Sequence, residues 1–213
     1  MKTRIKICGL RTAQDVAAAV ACGADDIGLV FFEKSPRHLT LDAAAELALT
    51  VPLGVRKVAL TVDPADDALD ALLARVPVDL LQLHGHESPD RVADIRARTG
   101  VPVMKAVGIA DAEDLDTLDA YMAVCEEILV DAKPPKTAVL PGGNGLTFDW
   151  RLLQGRRWSV PWMLAGGLRP SNVAEAIRLT GAPQVDVSSG VESSPGVKDA
   201  DMIRDFCAAV RSA

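Results

Sequence analysis

The chain has 213 residues, 49% of them hydrophobic and 24% charged, with a formal net charge of −6. This is the profile of one globular unit able to bury a sizeable core, so a single domain over residues 1–213 is expected. The negative balance leaves no basic face for a phosphate backbone, and no window holds the ~20 uninterrupted apolar residues of a membrane span, so neither nucleic acid nor membrane is an expected partner. The run from Met1 to Cys8 alternates charged and apolar residues where a secretory signal would carry a continuous apolar stretch of roughly 7 to 15. It reads as the mature start of a cytoplasmic protein. Cys8, Cys22, Cys125 and Cys207 lie far apart with no Cys-x-x-Cys pair, and are expected to be reduced thiols.

In chain order, Ile5 to Cys8 reads as a strand, and Thr12 starts a helix over Ala13 to Ala21. Asp26 to Phe31 is the second strand, followed by Thr40 ahead of a helix over Leu41 to Leu49. Lys57 to Val62 is the third, with Asp63-Pro64 opening a helix over Ala65 to Ala74. Leu80 to Leu83 is the fourth, with Ser88-Pro89 opening Asp90 to Arg98. Val103 to Val107 precedes a helix from Asp111 to Val124. Ile128 to Asp131 precedes a short helix at Asp149. Trp162 to Ala165 precedes one from Pro170-Ser171 to Leu179, and Val185 to Ser188 precedes the last, from Asp199 to Val210.

Such strict alternation implies a parallel sheet with helical crossovers. Eight units averaging about 27 residues lie near the lower size limit of a closed (β/α)₈ barrel. An open doubly wound sheet is the competing architecture, but it places a glycine-rich turn after its first strand. Here that turn is Cys8-Gly9-Leu10. The glycine-rich turns come after strands seven and eight, where barrels commonly hold phosphate.

In the first of these, Gly166 and Gly167 leave backbone N–H groups unobstructed ahead of a helix. The second, Ser188-Ser189-Gly190, adds two hydroxyls and a further glycine at the next strand end. Either turn alone could be plain chain reversal. Together they predict one phosphate-sized pocket.

Active groups in a barrel lie at C-terminal strand ends. Four stand out there: Cys8 after strand one, Arg37 after strand two, His84 after strand four and Asp131 after strand six. A cysteine in an Ile-x-Ile-Cys run could be a small buried hydrophobe, but its strand-end position favours chemistry. Asp131 is either a helix cap or an active-site acid, and the long turn after it suits capping poorly. His84-Gly85-His86 has no evident third ligand, so no metal is predicted. A thiol is mostly protonated at neutral pH, and Lys6 shares a strand face with Cys8. Lys6 is thus either a helper that lowers the thiol pKa or a structural partner of an acid such as Asp186.

Several strings in order along the whole chain resemble phosphoribosylanthranilate isomerase. They are Lys6-Ile7-Cys8-Gly9-Leu10, Leu81-Gln82-Leu83-His84-Gly85, Leu129-Val130-Asp131, the glycine loop Gly142-Gly143-Asn144-Gly145 with Phe148-Asp149-Trp150, Leu164-Ala165-Gly166-Gly167-Leu168, and Asp186-Val187-Ser188-Ser189-Gly190-Val191-Glu192. The resemblance implies an Amadori rearrangement in tryptophan biosynthesis, from N-(5-phosphoribosyl)anthranilate to 1-(2-carboxyphenylamino)-1-deoxyribulose 5-phosphate. It implies no cofactor and no metal, with Cys8 as general base, Asp131 as general acid and Arg37 as holder of the anthranilate carboxylate.

Asn144 departs from the threonine usual in that family, and the loop from Pro134 to Gly145 is expected to cover the substrate. The histidine-pathway isomerase, which runs the same rearrangement on an aminoimidazole ribotide, uses an aspartate as first-strand base and two phosphate sites, which Cys8 argues against. A non-catalytic phosphate-binding barrel would have no need of both Cys8 and Asp131. A monomer is the expected state, with a homodimer the alternative.

Overall fold

Parallel strands cannot be joined by tight turns, so each must be followed by a crossover long enough to return to the starting edge. In the computed structural model, which describes residues 2–133, 142–143 and 145–213, the strands are β1 (Arg4–Cys8), β2 (Asp26–Phe31), β3 (Arg56–Thr61), β4 (Leu80–Leu83), β5 (Val103–Ile109), β6 (Glu127–Ala132), β7 (Trp162–Leu164) and β8 (Gln184–Val187). They pair in sequence order, all parallel, and β8 closes onto β1. The crossovers carry α1 (Ala13–Ala21), α2 (Leu41–Ala48), α3 (Asp66–Arg75), α4 (Pro89–Thr99), α5 (Leu118–Met122) and α6 (Val173–Thr180), with α7 (Ala200–Arg211) after β8. The closed barrel expected from the alternation is the one observed. No helix among the described residues is long and apolar enough to cross a membrane.

Most helix starts follow the sequence signals. The hydroxyls of Thr12, Thr40 and Ser88 accept from the amides of Asp15, Ala43 and Arg91, and the Asp199 carboxylate accepts from that of Met202. Three expectations need correction. The helix expected from Asp111 to Val124 is a 3₁₀ turn over Glu113–Thr117 followed by the short α5. Asp111 and Asp114 there take the backbone amides of Glu113 and Ala110, an alternative to the helical ladder. Asp63 does not open α3, since its carboxylate accepts from the His86 amide at 2.6 Å and so ties the β3 and β4 loops together. The short helix at Asp149 is a 3₁₀ turn, Trp150–Leu153.

Successive strand residues face opposite sides, so every second residue points into the barrel. These inward residues are layered. The floor holds Arg56 between Asp26 (2.7 Å) and Glu127. Above it a separate apolar plug is made of Val58, Leu80, Met104, Leu129 and Met163. Lys6, Gln82 and Asp186 lie above the plug, and Cys8, His84, Asp131 and Ser188 follow two residues further along β1, β4, β6 and β8. The outward residues, among them Ile5, Ile7, Ile27, Leu81 and Ile128, pack with the helices into the main core.

One buried ion pair fixes the loop that carries His84. Lys105 Nζ donates to Glu87 Oε2 at 2.7 Å and to the Gly85 carbonyl at 2.8 Å. Glu87 also accepts from the amides of Asp63 and Gly85, at 2.8 and 3.0 Å. Both charged side chains are 2% exposed, so removing one charge strands the other. Glu87→Gln should therefore lower the free energy of unfolding by about 3–5 kcal/mol, read from the urea midpoint.

Candidate active site

The layering delivers chemistry-bearing side chains to one end of the barrel. Cys8, His84, Asp131, Asp186 and Ser188 all line one pocket, together with Arg37 from the loop after β2. An adjoining pocket, which shares Asp131, Asp186 and Ser188, is lined by Gly166, Gly167, Ser189 and Gly190. The candidates that the sequence scattered from residue 8 to residue 190 thus border one continuous cleft.

Cys8 is 4% exposed. Burial pushes its thiol up, Lys6 pulls it down, Asp186 pushes it up again and Lys198 pulls it down, leaving the net shift upward. The sequence left two roles open for Lys6. Its Nζ donates to Asp186 Oδ1 at 2.8 Å, which is the structural pairing, and its charge also reaches Cys8. Burial disfavours the Lys6 ammonium, but Asp186 and Cys8 outweigh it and hold Lys6 above the ordinary lysine range. Both roles left open for Lys6 are thus present together: it pairs with Asp186, and it offsets part of the burial that raises the thiol.

At the opposite side of the mouth, Asp131 Oδ2 lies 3.3 Å from His84 Nε2, and Asp131 Oδ1 accepts from the Ala132 amide at 2.8 Å. Gln82 Nε2 is 2.9 Å from His84 Nδ1. With that amide donating, Nδ1 accepts and the ring N–H is assigned to Nε2, the nitrogen nearest Asp131. Alternation along β4 already put Gln82 and His84 on one face, but nothing in the sequence joined them to Asp131. A Cβ on Gly142 would fall 2.7 Å from His84 Nε2 and 2.9 Å from Asp131 Oδ2, so only a glycine can cover this pair so closely. The rest of the expected cover, Pro134 to Pro141 and Asn144, lies outside the described residues.

Arg37 is 5% exposed and is already engaged. Its Nε and Nη2 donate to the two oxygens of Glu192 at 2.8 Å each. Its other terminal nitrogen, Nη1, lies towards Gly143, where a Cβ would come within 2.8 Å of it. The pocket wall beside it is apolar, with Val30, Phe32, Leu60 and Val62. A guanidinium beside an apolar wall suits a flat ring that bears a carboxylate.

The residues expected to hold phosphate line one pocket. Gly166 and Gly167 have φ of +85° and +62°, and among the described residues nothing accepts from either amide. Asn172 does not cap α6. Its side chain accepts from the Arg169 amide at 2.7 Å and donates to the Gly167 carbonyl at 3.0 Å, bracing the glycine turn. The Ser188 hydroxyl donates to the Cys8 carbonyl at 3.1 Å. Of the two serine hydroxyls in this loop, that of Ser189 has no partner among the described residues.

Sequence reasoning gave no role to Glu192 or Lys198. The signal present was Ser194-Pro195-Gly196-Val197, a turn sequence between short runs, and it makes a small hairpin of β9 (Glu192–Ser194) and β10 (Val197–Lys198). Among the described residues no group of three or more His, Cys, Asp or Glu side chains is arranged to hold a metal ion.

A Cβ on Gly190 would lie 1.9 Å from the Leu168 carbonyl oxygen, so any side chain there must part the two anion-facing loops. Gly190→Ala should leave a folded protein whose melting temperature no longer rises with added inorganic phosphate, as measured by thermal shift against the parent.

Comparison with known proteins agrees with this geometry. The family model described as "PRAI: N-(5'phosphoribosyl)anthranilate (PRA) isomerase" matches residues 5–209. A protein named N-(5'-phosphoribosyl)anthranilate isomerase from Paracoccus denitrificans is 66% identical over 98% of this chain and 97% of its own length. The crystal structure of phosphoribosyl anthranilate isomerase from Thermotoga maritima superposes with a TM-score of 0.89 at 34% identity, covering 99% of this chain and 100% of that one. A further structure of such an isomerase, in complex with reduced 1-(o-carboxyphenylamino)-1-deoxyribulose 5-phosphate, gives 0.85 at 32% identity, covering 99% of this chain and 100% of that one.

Proposed function

The chain belongs to the N-(5'-phosphoribosyl)anthranilate isomerase family, and from that premise we propose that its cleft rearranges N-(5'-phosphoribosyl)anthranilate in tryptophan biosynthesis, with Asp131 as acid and Cys8 as base. The observation that carries the assignment is the placement of both groups in one pocket, beside Arg37 and continuous with the glycine-lined anion pocket. Gly166, Gly167, Ser188, Ser189 and Gly190 would hold the phosphate, and the free edge of Arg37 the ring carboxylate, so that the ribose spans the two. All these groups come from one chain, read as a single catalytic domain over residues 1–213 that acts as a monomer, with a homodimer the alternative.

The residue types fit the steps. Asp131 gives its proton to the ribose ring oxygen as the C1–O bond breaks and the nitrogen lone pair forms a C1=N iminium. The iminium acidifies the C2 proton, which the Cys8 thiolate removes to give an enolamine. Moving the C2 hydroxyl proton to C1 then leaves the C2 ketone and a secondary amine, an isomer of the starting material. After the first step Asp131 is a carboxylate, and the Ala132 amide already donates to its Oδ1 while His84 Nε2 lies 3.3 Å from its Oδ2. Donors so placed interact more strongly as the negative charge develops, so they favour the transition state over the ground state.

Decay of the anthranilate-type fluorescence of freshly made substrate tests the reaction. Rapid loss is expected with the parent protein, and losing either proton-transfer group should slow it by ~10²–10⁴, roughly 3–5 kcal/mol. Cys8→Ala and Asp131→Asn that both retain parental rates would remove the assignment. A folded parent that leaves the fluorescence unchanged would remove the activity itself.

The raised thiol gives a second expectation. The reactive thiolate is the minority form at neutral pH, and its fraction grows as pH rises. The ultraviolet thiolate absorbance that the parent shows and Cys8→Ala lacks should therefore develop only above the ordinary thiol value of about 8.5. A difference absorbance already complete near neutrality would mean that the thiol is not raised.

A further inference from the structure

Arg37 is held by more than its own loop. Glu192 occupies one edge of its guanidinium, formed by Nε and Nη2, at 2.8 Å each. Glu192 in turn accepts from Lys198 Nζ at 2.7 Å and from the Gly196 amide at 3.2 Å. Lys198 also donates to the Ser188 carbonyl at 2.9 Å, and the Gly196 backbone lies so near Pro36 that a Cβ there would come within 2.5 Å of its carbonyl oxygen. The side chains of Arg37, Glu192 and Lys198 are 7%, 3% and 1% exposed, which makes this a built cluster and not a surface contact.

A guanidinium can offer a carboxylate two edges, Nε with Nη2 or Nη1 with Nη2. Glu192 takes the first. Among the described residues nothing takes the second, which is directed towards Gly143 in the pocket that also holds Cys8 and Asp131. Burial alone would favour a neutral Glu192, but Arg37 and Lys198 outweigh it and keep the carboxyl below its ordinary range. Glu192 is therefore an anion that grips Arg37 throughout the neutral range.

We propose that Glu192, braced by Lys198, is a positioning residue that aims the free edge of Arg37 at the substrate's ring carboxylate and ties that end of the cleft to the anion loop through Ser188. This rests on the reading that Arg37 holds the carboxylate. If Glu192 instead only staples the β9–β10 hairpin to the barrel, its loss would weaken every ligand alike. Aiming affects only ligands that carry the carboxylate.

Two stable probes separate these cases: reduced 1-(o-carboxyphenylamino)-1-deoxyribulose 5-phosphate, and the same molecule without the ring carboxylate. Calorimetry gives the ratio of their dissociation constants for the parent, Glu192→Gln, Glu192→Asp and Arg37→Met. The parent should favour the carboxylate-bearing probe, and Arg37→Met should bring the ratio to about one by removing the bidentate donor. In Glu192→Gln the ratio should fall about tenfold or more, since misplacement on the ångström scale carries penalties of that order, while affinity for the carboxylate-free probe stays at the parental value. Glu192→Asp, which keeps the charge, should lie between them and serves if the glutamine variant does not fold. An equal loss for both probes, or a parental ratio in the folded Glu192 variants, would overturn the positioning role. A parental ratio in Arg37→Met would instead overturn the carboxylate reading beneath it.

Discussion

Closure of the barrel brings its first and last strands together, and at that seam the structure buries a whole ion pair. Lys6 and Asp186 are register partners across β1 and β8, and their side chains meet at 2.8 Å, 0% and 9% exposed. Withdrawing two charges from water costs about what their attraction returns, so such a pair is a poor source of net stability. Its effect here is local. It sets a fixed ammonium and a fixed carboxylate directly beneath the cysteine, on the faces of the two strands that also carry Cys8 and Ser188.

The same seam explains the electrostatic character of the mouth. Burial and Asp186 favour a neutral thiol, whereas Lys6 and Lys198 favour a thiolate. The cysteine is therefore balanced between opposing charges within a low-dielectric wall, where a cationic intermediate arriving above it would tip the balance towards deprotonation. Across the mouth, Asp131 is flanked by donors. Opposed charges thus surround the thiol on one side of the cleft, and donors surround the carboxylate on the other.

Much of this was legible because barrels turn sequence periodicity into position. Two-residue alternation places Lys6 with Cys8 and Gln82 with His84, and Gly166-Gly167 and Ser188-Ser189-Gly190, falling after the last two barrel strands, mark the two loops that share one pocket. What alternation cannot supply is contact between loops. The grip of Glu192 on Arg37 spans 155 residues in the chain, and neither residue carries a local signal of the other. Helix ends failed for a related reason. Asp63, expected to open α3, instead serves the loop after β4 through the His86 amide. Short polar residues satisfy backbone groups wherever the tertiary fold leaves them open.

The pairing of β1 with β8 also has a meaning in time. Of the barrel strands a ribosome releases β1 first and β8 last, so Lys6 must wait for Asp186, 180 residues further along. Until then β1 has an unpaired edge, the kind of feature that makes partly made parallel sheets slow to settle and prone to stray association. The cysteine at residue 8 likewise has no anion loop beside it before Ser188 to Gly190 arrive. A nascent chain can hold most of its helices and strands and still lack the cleft altogether. Competence is conferred by the final crossover.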